Sequence, residues 1–261
     1  MRHRIRIFDI DIDGITLAQA VARMLAWSND PTAACRSVFT PNLDHIVILA
    51  KRPEVRTAYR NASLVVADGW PIVFASRLLG RRLPERVAGS DLVPGVLAEA
   101  NRSPTRPLRT FLLGAAPGVA ERAAARIRQR WSSVPVVGCY SPPFGFENDA
   151  FENERILETI SAAKPDLLIV GFGAPKQELW LHRYRDSIDA RVAVAAGGTI
   201  DFMAGEQRRA PRWMQKSGLE WLHRMLSDPR RLALRYARDA WEFPWLLWRE
   251  WWPPGPDNPS G

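Results

Sequence analysis

The sequence has little cysteine and no long apolar run, and both shortages narrow what it can be. Its two cysteines, Cys35 and Cys139, stand far apart in 261 residues and match no metal-ligand or CxxC spacing. A disulfide scaffold and a cysteine-rich zinc site are thereby excluded, and the usage fits a reducing cytosol. No stretch of about 18 consecutive apolar residues occurs, so no transmembrane helix is expected. Residues 1–14, MRHRIRIFDIDIDG, carry basic residues without the apolar stretch of a secretory signal. Four histidines (His3, His45, His182, His223) share no ligand spacing and read as structural or solvated. The glycine fingerprint GxGxxG and the Walker A pattern are both missing, which counts against a nicotinamide enzyme and a P-loop ATPase.

Tryptophan and positive charge are what the sequence has in excess. The chain holds 11 tryptophans and a formal net charge of +8. Seven of the tryptophans (Trp213, Trp221, Trp241, Trp245, Trp248, Trp251, Trp252) follow residue 212. Residues 206–238 hold nine Lys/Arg against three acids, a local excess of +6. A boundary near Gly205 follows, with a core over 1–205 and a basic, Trp-rich helical appendage over 206–261. In the appendage Arg231, Arg235 and Arg238 share one side of a helix, and so do Trp245, Trp248 and Trp252, with Pro244 expected to kink or end it. Tryptophan with an arginine stripe is the composition of an interfacial helix at an anionic membrane surface. Core packing or a homo-oligomer interface is the alternative; nucleic acid is not expected.

The core alternates short apolar runs with helical patterns. Residues 36–40, 63–68, 110–114, 135–140, 166–173 and 190–198 read as buried strands, and 43–61, 118–131, 150–163 and 175–186 as helices. The alternation implies an α/β fold, a Rossmann-like and mostly parallel sheet with helices on both faces. Ligands of such sheets bind at the C-terminal strand ends. Candidate site residues are therefore the polar groups and glycines that follow strands. They are Thr40 and Asn42 in TPN, Asp68 in ADG, and Gly114 in a GAAPG turn that resembles a phosphate-contacting turn. Gly171, Gly173, Lys176, Gln177 and Glu178 follow the fifth run, and Gly197, Gly198 and Asp201 the last. Thr40, Asn42 and Asp68 also suit helix caps, and Ser90 with Asp91 reads as a cap whose helix end could hold an anion. Residues 141–149 form a Pro/Gly loop, a lid or a long connection. Asp9, Asp11 and Asp13 resemble a DxD metal motif, but they alternate with Ile10 and Ile12 and read as an edge strand with a solvated acidic face.

Taken in order, TPN (40–42), ADG (67–69), RVAGSDL (86–92), FLLGAAPG (111–118), LLIVGFGAPKQE (167–178), GGTIDFMAGEQRRAP (197–211) and GLEWLHRMLSDPRRL (218–232) resemble the WecG/TagA/CpsF glycosyltransferases. The resemblance runs from about residue 5 to 238. It implies an inverting enzyme that transfers a sugar, of N-acetylmannosamine or glucose type, from a UDP-sugar to a polyprenyl-diphosphate-linked sugar. The setting would be the inner face of the cytoplasmic membrane, with the enzyme cytoplasmic and peripheral. The product would serve teichoic acid, capsule, exopolysaccharide or common-antigen synthesis. Neither a cofactor nor a metal is implied. Asp68 would be the base, with Thr40, Asn42, Arg86 and Gln177 in the same pocket and Arg224 and Arg231 reaching it from the appendage.

The residues agree with that chemistry. A single displacement at an anomeric carbon needs one carboxylate to deprotonate the acceptor hydroxyl. It also needs cations or amide dipoles for the departing diphosphate. Two other classes stay open at this point: a Rossmann-like nucleotide-binding oxidoreductase or methyltransferase, and a non-enzymatic membrane-surface adaptor.

Overall fold

The computed structural model describes residues 3–30, 34–102, 106–207, 209–211, 213–214 and 220–252; the side chains of Arg224 and Arg231 lie outside what is described. The chain opens on an antiparallel hairpin, β1 (Arg4–Ile7) and β2 (Ile10–Asp13), turning at Phe8 and Asp9. Both turn residues have positive φ, 52° and 61°, the backbone a two-residue hairpin turn requires. After α1 (Leu17–Ser28) the chain alternates: β3 (Arg36–Phe39), α2 (Leu43–Lys51), α3 (Pro53–Arg60), β4 (Leu64–Val65), α4 (Trp70–Leu78), α5 (Gly89–Arg102), β5 (Thr110–Gly114), α6 (Val119–Arg130), β6 (Val136–Tyr140). Then come a 3₁₀ turn (Phe146–Asn148), α7 (Ala150–Ala163), β7 (Leu167–Gly171), α8 (Lys176–Arg183), β8 (Val192–Ala195) and α9 (Thr199–Ala204). Helices α10 (Glu220–Ser227) and α11 (Pro229–Trp251) close the described chain.

Strands β3 to β8 form one six-stranded sheet in the order β4-β3-β8-β7-β5-β6, and every pairing is parallel. Side chains alternate between two cores. Phe39, Phe111, Leu113, Leu168, Val170 and Ala195 meet α2, α3, α4, α7 and α8, while Val38, Leu112, Ile169 and Val194 meet α1, α5, α6 and α9. That double burial is why the strands read as continuous apolar runs. The α/β fold with helices on both faces is as the sequence implies.

Three expectations need correction. The pattern over 43–61 is two helices, because Arg52 takes an extended backbone before Pro53, which opens α3 at its first position. The acidic run lies on an edge strand as expected, but its face is not solvated throughout. Asp13 is buried, faces Arg4 at 3.4 Å and Arg23 at 3.6 Å, and accepts the Val65 N–H at 3.0 Å, tying the hairpin to β4. Only Asp9 and Asp11 are open to solvent, and each pairs with Arg6. Finally, Pro244 does not end its helix, since α11 runs from Pro229 through Trp251.

Helix α11 lies on the core. Leu246 is buried, and Phe243 and Leu247 pack beside it against the cluster that contains Phe8. Glu250 accepts the Phe8 N–H at 3.2 Å and pairs with Arg81 at 2.9 Å, and Lys51 pairs with Glu242 at 2.5 Å. Arg235 and Arg238 both reach Asp44 in the first turn of α2. Those two arginines therefore face the core rather than forming a free stripe. The side turned away from the core carries an exposed stripe of apolar side chains. At 100° per residue Leu234, Trp241, Trp245, Trp248 and Trp252 fall within roughly 60°, and all five are exposed. No helix among the described residues is long and apolar enough to cross a membrane.

Candidate active site

Two turns meet at the C-terminal ends of β3 and β4. Pro41 halts β3, and Asn42 caps α2 with its side chain accepting the His45 N–H. The chain leaving β4 lays Asp68 and Gly69 against that cap: the Asp68 N–H donates to the Pro41 carbonyl at 2.9 Å. A Cβ on Gly69 would stand 3.3 Å from the Asn42 Cα, so glycine allows TPN and ADG to touch. The Val87 N–H then donates to the Ala67 carbonyl at 2.8 Å, which brings 86–91 to the same place.

This fixes the Asp68 carboxylate at the head of α5. Its Oδ2 accepts the Gly89 N–H at 3.3 Å, and its Oδ1 lies 3.9 Å from Arg86 Nη1. Around it sits a charge cluster. Arg86 also reaches Glu220 at 2.9 Å and Asp91 at 3.3 Å, while Arg209 reaches Asp91 at 2.7 Å and Glu220 at 3.9 Å. The Arg209 pKa is raised: burial works against the cation, and Asp91, Glu220 and Asp68 outweigh it. Glu220 opens α10, so the basic C-terminal segment is bonded into the site through a carboxylate. Arg209, Asp91 and Glu220 were not singled out from sequence as site residues. Arg209 counts there only as appendage charge, and Asp91 only as a cap.

The other candidates line the adjoining strand ends. The buried Thr40 hydroxyl donates to the Ala195 carbonyl at 3.4 Å, linking β3 to β8. Gln177, also buried, accepts the Gly197 N–H at 3.1 Å and donates to Glu178 at 2.9 Å. It therefore holds the Gly197–Gly198 turn that precedes α9 and Asp201. Gly114 and Gly171 close the floor. A Cβ on Gly114 would come 2.7 Å from the Gly171 carbonyl, and one on Gly171 3.1 Å from the Gly197 carbonyl. Gly114 lies four strands from β4, roughly 19 Å across the sheet at about 4.8 Å per strand. The carboxylate and the glycine turns thus lie along one edge of the sheet, with Asp68 after β4, the Gly197 and Gly171 turns after β8 and β7 between, and Gly114 after β5.

Lys176 turns another way. It pairs with Glu147 at 2.7 Å and stacks its charge over Phe144 and Phe146 of the 141–149 loop. That loop is anchored by Phe146, buried against Phe172, while Phe144 at its tip is fully exposed. Gly173, with φ of 81°, follows β7 with nothing near its missing Cβ. The expected contributions of Arg224 and Arg231 fall on side chains outside the described ones. Both thiols are poor nucleophiles here, because burial pushes Cys35 up to about 12 and Cys139 to about 11. Among the described residues no group of three His, Cys, Asp or Glu is placed to hold a metal ion. A cavity of about 1000 Å³ opens at the opposite, N-terminal edge of the sheet. It contains none of the motif residues, and its Arg106, Arg109 and Arg191 are spent on Asp166 and on main-chain carbonyls.

Comparison with known proteins agrees with the motif order. The family model described as "Glycosyl transferase WecG/TagA/CpsF family" matches residues 5–256. A Bacillus spizizenii protein named N-acetylglucosaminyldiphosphoundecaprenol N-acetyl-beta-D-mannosaminyltransferase is 32% identical over 181 residues, covering 69% of this chain and 67% of that protein. A Staphylococcus aureus protein of the same name is 28% identical over 230 residues, covering 88% and 87%. Such a family leaves no place for the oxidoreductase, methyltransferase or adaptor readings. With its motifs gathered at the strand ends of a parallel sheet and a family match over nearly its whole length, this chain belongs to the WecG/TagA/CpsF family and is a glycosyltransferase.

Proposed function

We propose that this enzyme transfers a sugar of N-acetylmannosamine type from a UDP-sugar onto a polyprenyl-diphosphate-linked sugar, with inversion and without a bound metal. The relatives' names support the transferred sugar and the lipid-linked acceptor. One observation carries the mechanism. Asp68 is held by an amide at the head of α5, with a guanidinium beside it, on the same C-terminal sheet edge as the glycine turns after β8, β7 and β5.

Asp68 takes the proton of the acceptor hydroxyl as that oxygen attacks the anomeric carbon from the face opposite UDP. The carbon–oxygen bond to UDP then breaks, and the diphosphate leaves with its electron pair. Its growing charge calls for fixed cations. Arg86 and Arg209 are at hand, now balanced by Glu220 and Asp91. An arginine fork suits a diphosphate. Glu220 occupies the place where a phosphate would compete for Arg86, so donor binding and the seating of α10 are linked. Arg224 and Arg231 belong to the same basic segment and would add to this field. The glycine turns after β5, β7 and β8 let the backbone approach the nucleotide.

The exposed Leu234–Trp252 stripe supports a peripheral position on the membrane that carries the acceptor, with tryptophans at headgroup depth. The test is a panel of radiolabelled UDP-sugars with a short-chain lipid-diphosphate N-acetylglucosamine. Transfer from UDP-N-acetylmannosamine is expected, and transfer from none of the panel would refute the assignment. Thermal shift with UDP, NAD and S-adenosylmethionine separates nucleotide classes, with stabilisation by UDP alone expected.

A further inference from the structure

Behind Asn42 lies a histidine that the mechanism above does not use. His45 is the third residue of α2. Its Nδ1 lies 2.8 Å from the Asn42 Oδ1, and its Nε2 lies 3.4 Å from Glu178 Oε1. Both oxygens can only accept, since the Asn42 Oδ1 already receives the His45 N–H at 3.4 Å and Glu178 is a carboxylate. A proton on each ring nitrogen, that is, an imidazolium, lets the ring donate to both oxygens at once. The neutral alternative has Nδ1 accepting the Asn42 N–H at 3.3 Å. It would leave a bare ring nitrogen facing the carboxamide oxygen at 2.8 Å. Glu178 needs the cation too: it is buried, and its Oε2 has no hydrogen-bond partner among the described residues. An unpaired buried carboxylate is costly.

The contacts form one chain across the mouth of the sheet. Glu178 Oε1 accepts from Gln177 Nε2, and Gln177 Oε1 accepts the Gly197 N–H. The turn after β8 is thereby joined through α8 to the turn after β3. At its far end the Asn42 oxygen is used up, and the carboxamide nitrogen is the end left for a ligand.

We propose that the His45–Glu178 pair is a positioning device that presents Asn42 to a sugar oxygen as a hydrogen-bond donor. The proposal rests on the transferase reading and adds to it which atom of Asn42 meets substrate and what holds it there.

The charges around the ring favour this state. Burial by itself lowers the His45 pKa, but the hydrogen bond and charge of Glu178, with Asp44 and Asp68, leave it raised above its ordinary value. Facing groups are Glu178 from α8, Asp68 after β4 and Asp44 on α2, the last shared with Arg235 and Arg238 of α11. Because the folded pKa is raised, the ring keeps its proton above the usual histidine range and loses it as pH rises through the folded value. Asn42 then keeps only the cap bond from the His45 N–H and loses the ring's hold on its oxygen, and binding of the sugar it touches weakens.

Two measurements test this. Ring NMR of the ligand-free protein should show His45 titrating above free histidine, and Glu178→Gln should move that titration down while keeping the Gln177 hydrogen bond. Kinetics across roughly pH 6 to 9 should show an alkaline rise in KM for one substrate, with kcat changing less. In Glu178→Gln the rise should begin at lower pH, and His45→Gln should raise KM by up to about ten-fold at every pH, the loss of one oriented hydrogen bond. A neutral His45 ring at neutral pH, or a Glu178→Gln enzyme with the wild-type pH profile, overturns the proposal. Should His45→Gln fail to melt cooperatively, Glu178→Gln decides. The ring titration needs no substrate, so a wild type that transfers no sugar would overturn the function separately.

Discussion

Asp68→Asn is the sharpest perturbation of the site. Asparagine has the shape of aspartate, and its Oδ1 can still accept the Gly89 N–H now held at 3.3 Å. The Asp68 N–H to Pro41 carbonyl bond is main chain and is untouched. The variant loses only charge, opposite a guanidinium 3.9 Å away that keeps Glu220 and Asp91 as partners. The fold should therefore lose no more than about 1 kcal/mol, the scale of a partly exposed pair. For a chain of this size that is roughly 2–4 °C in Tm. Turnover is another matter, because an amide cannot take the acceptor proton. Loss of a general base costs on the order of 10²–10⁴-fold in kcat, or about 2.7–5.5 kcal/mol of barrier. The assay is radiolabelled transfer at saturating substrates, with UDP-induced thermal shift as the check on the donor site. A folded Asp68→Asn protein that binds UDP and keeps near-normal kcat removes Asp68 from the mechanism.

Other variants probe the supports. Leu246→Ala, which empties a buried position between α11 and the core, should cost about 2–5 kcal/mol, seen as a lower midpoint in urea; an unchanged midpoint would show α11 to be separable from the core. Asp13→Ala should cost a similar amount, since it strands Arg4, Arg23 and the Val65 N–H in a buried place; calorimetry with no loss of Tm would contradict that role. Trp248→Ala with Trp252→Ala removes exposed side chains only. It should leave a soluble acceptor turning over normally and reduce liposome binding, and equal liposome binding would argue against a membrane face. EDTA should leave transfer intact, and activity restored by added Mg²⁺ or Mn²⁺ would mean that a metal takes part.

Much of this was legible in the sequence, for physical reasons. The inner strands show as apolar runs because both faces of a parallel sheet are covered, whereas β6 at the sheet edge, read from sequence as buried, is only partly so. TPN, ADG and the glycine turns show because each sits where a strand ends and a helix begins, while RVAGSDL reaches the site by opening α5 from a loop. Less visible was anything that depends on distance in space. Asp13 alternates with isoleucines like a surface acid, yet Arg4, Arg23 and the Val65 amide make its burial tolerable. His45 matches no ligand spacing, since its partner Glu178 lies 133 positions on. Arg209 and Glu220 looked like appendage charge until the chain folded back on Arg86. Arg235 and Arg238 looked like a membrane stripe because Asp44, which takes them both, is far away in sequence.

The central claim is inverting transfer from UDP-N-acetylmannosamine to a lipid-diphosphate sugar with Asp68 as base. Its most direct test is to incubate wild type and Asp68→Asn with that donor and a short-chain lipid-diphosphate N-acetylglucosamine, and to read the anomeric coupling of the product by NMR. The account predicts one new glycosidic bond of inverted configuration, formed by wild type and almost absent with the variant. Retained configuration, or release of free sugar with no lipid-linked product, would contradict it.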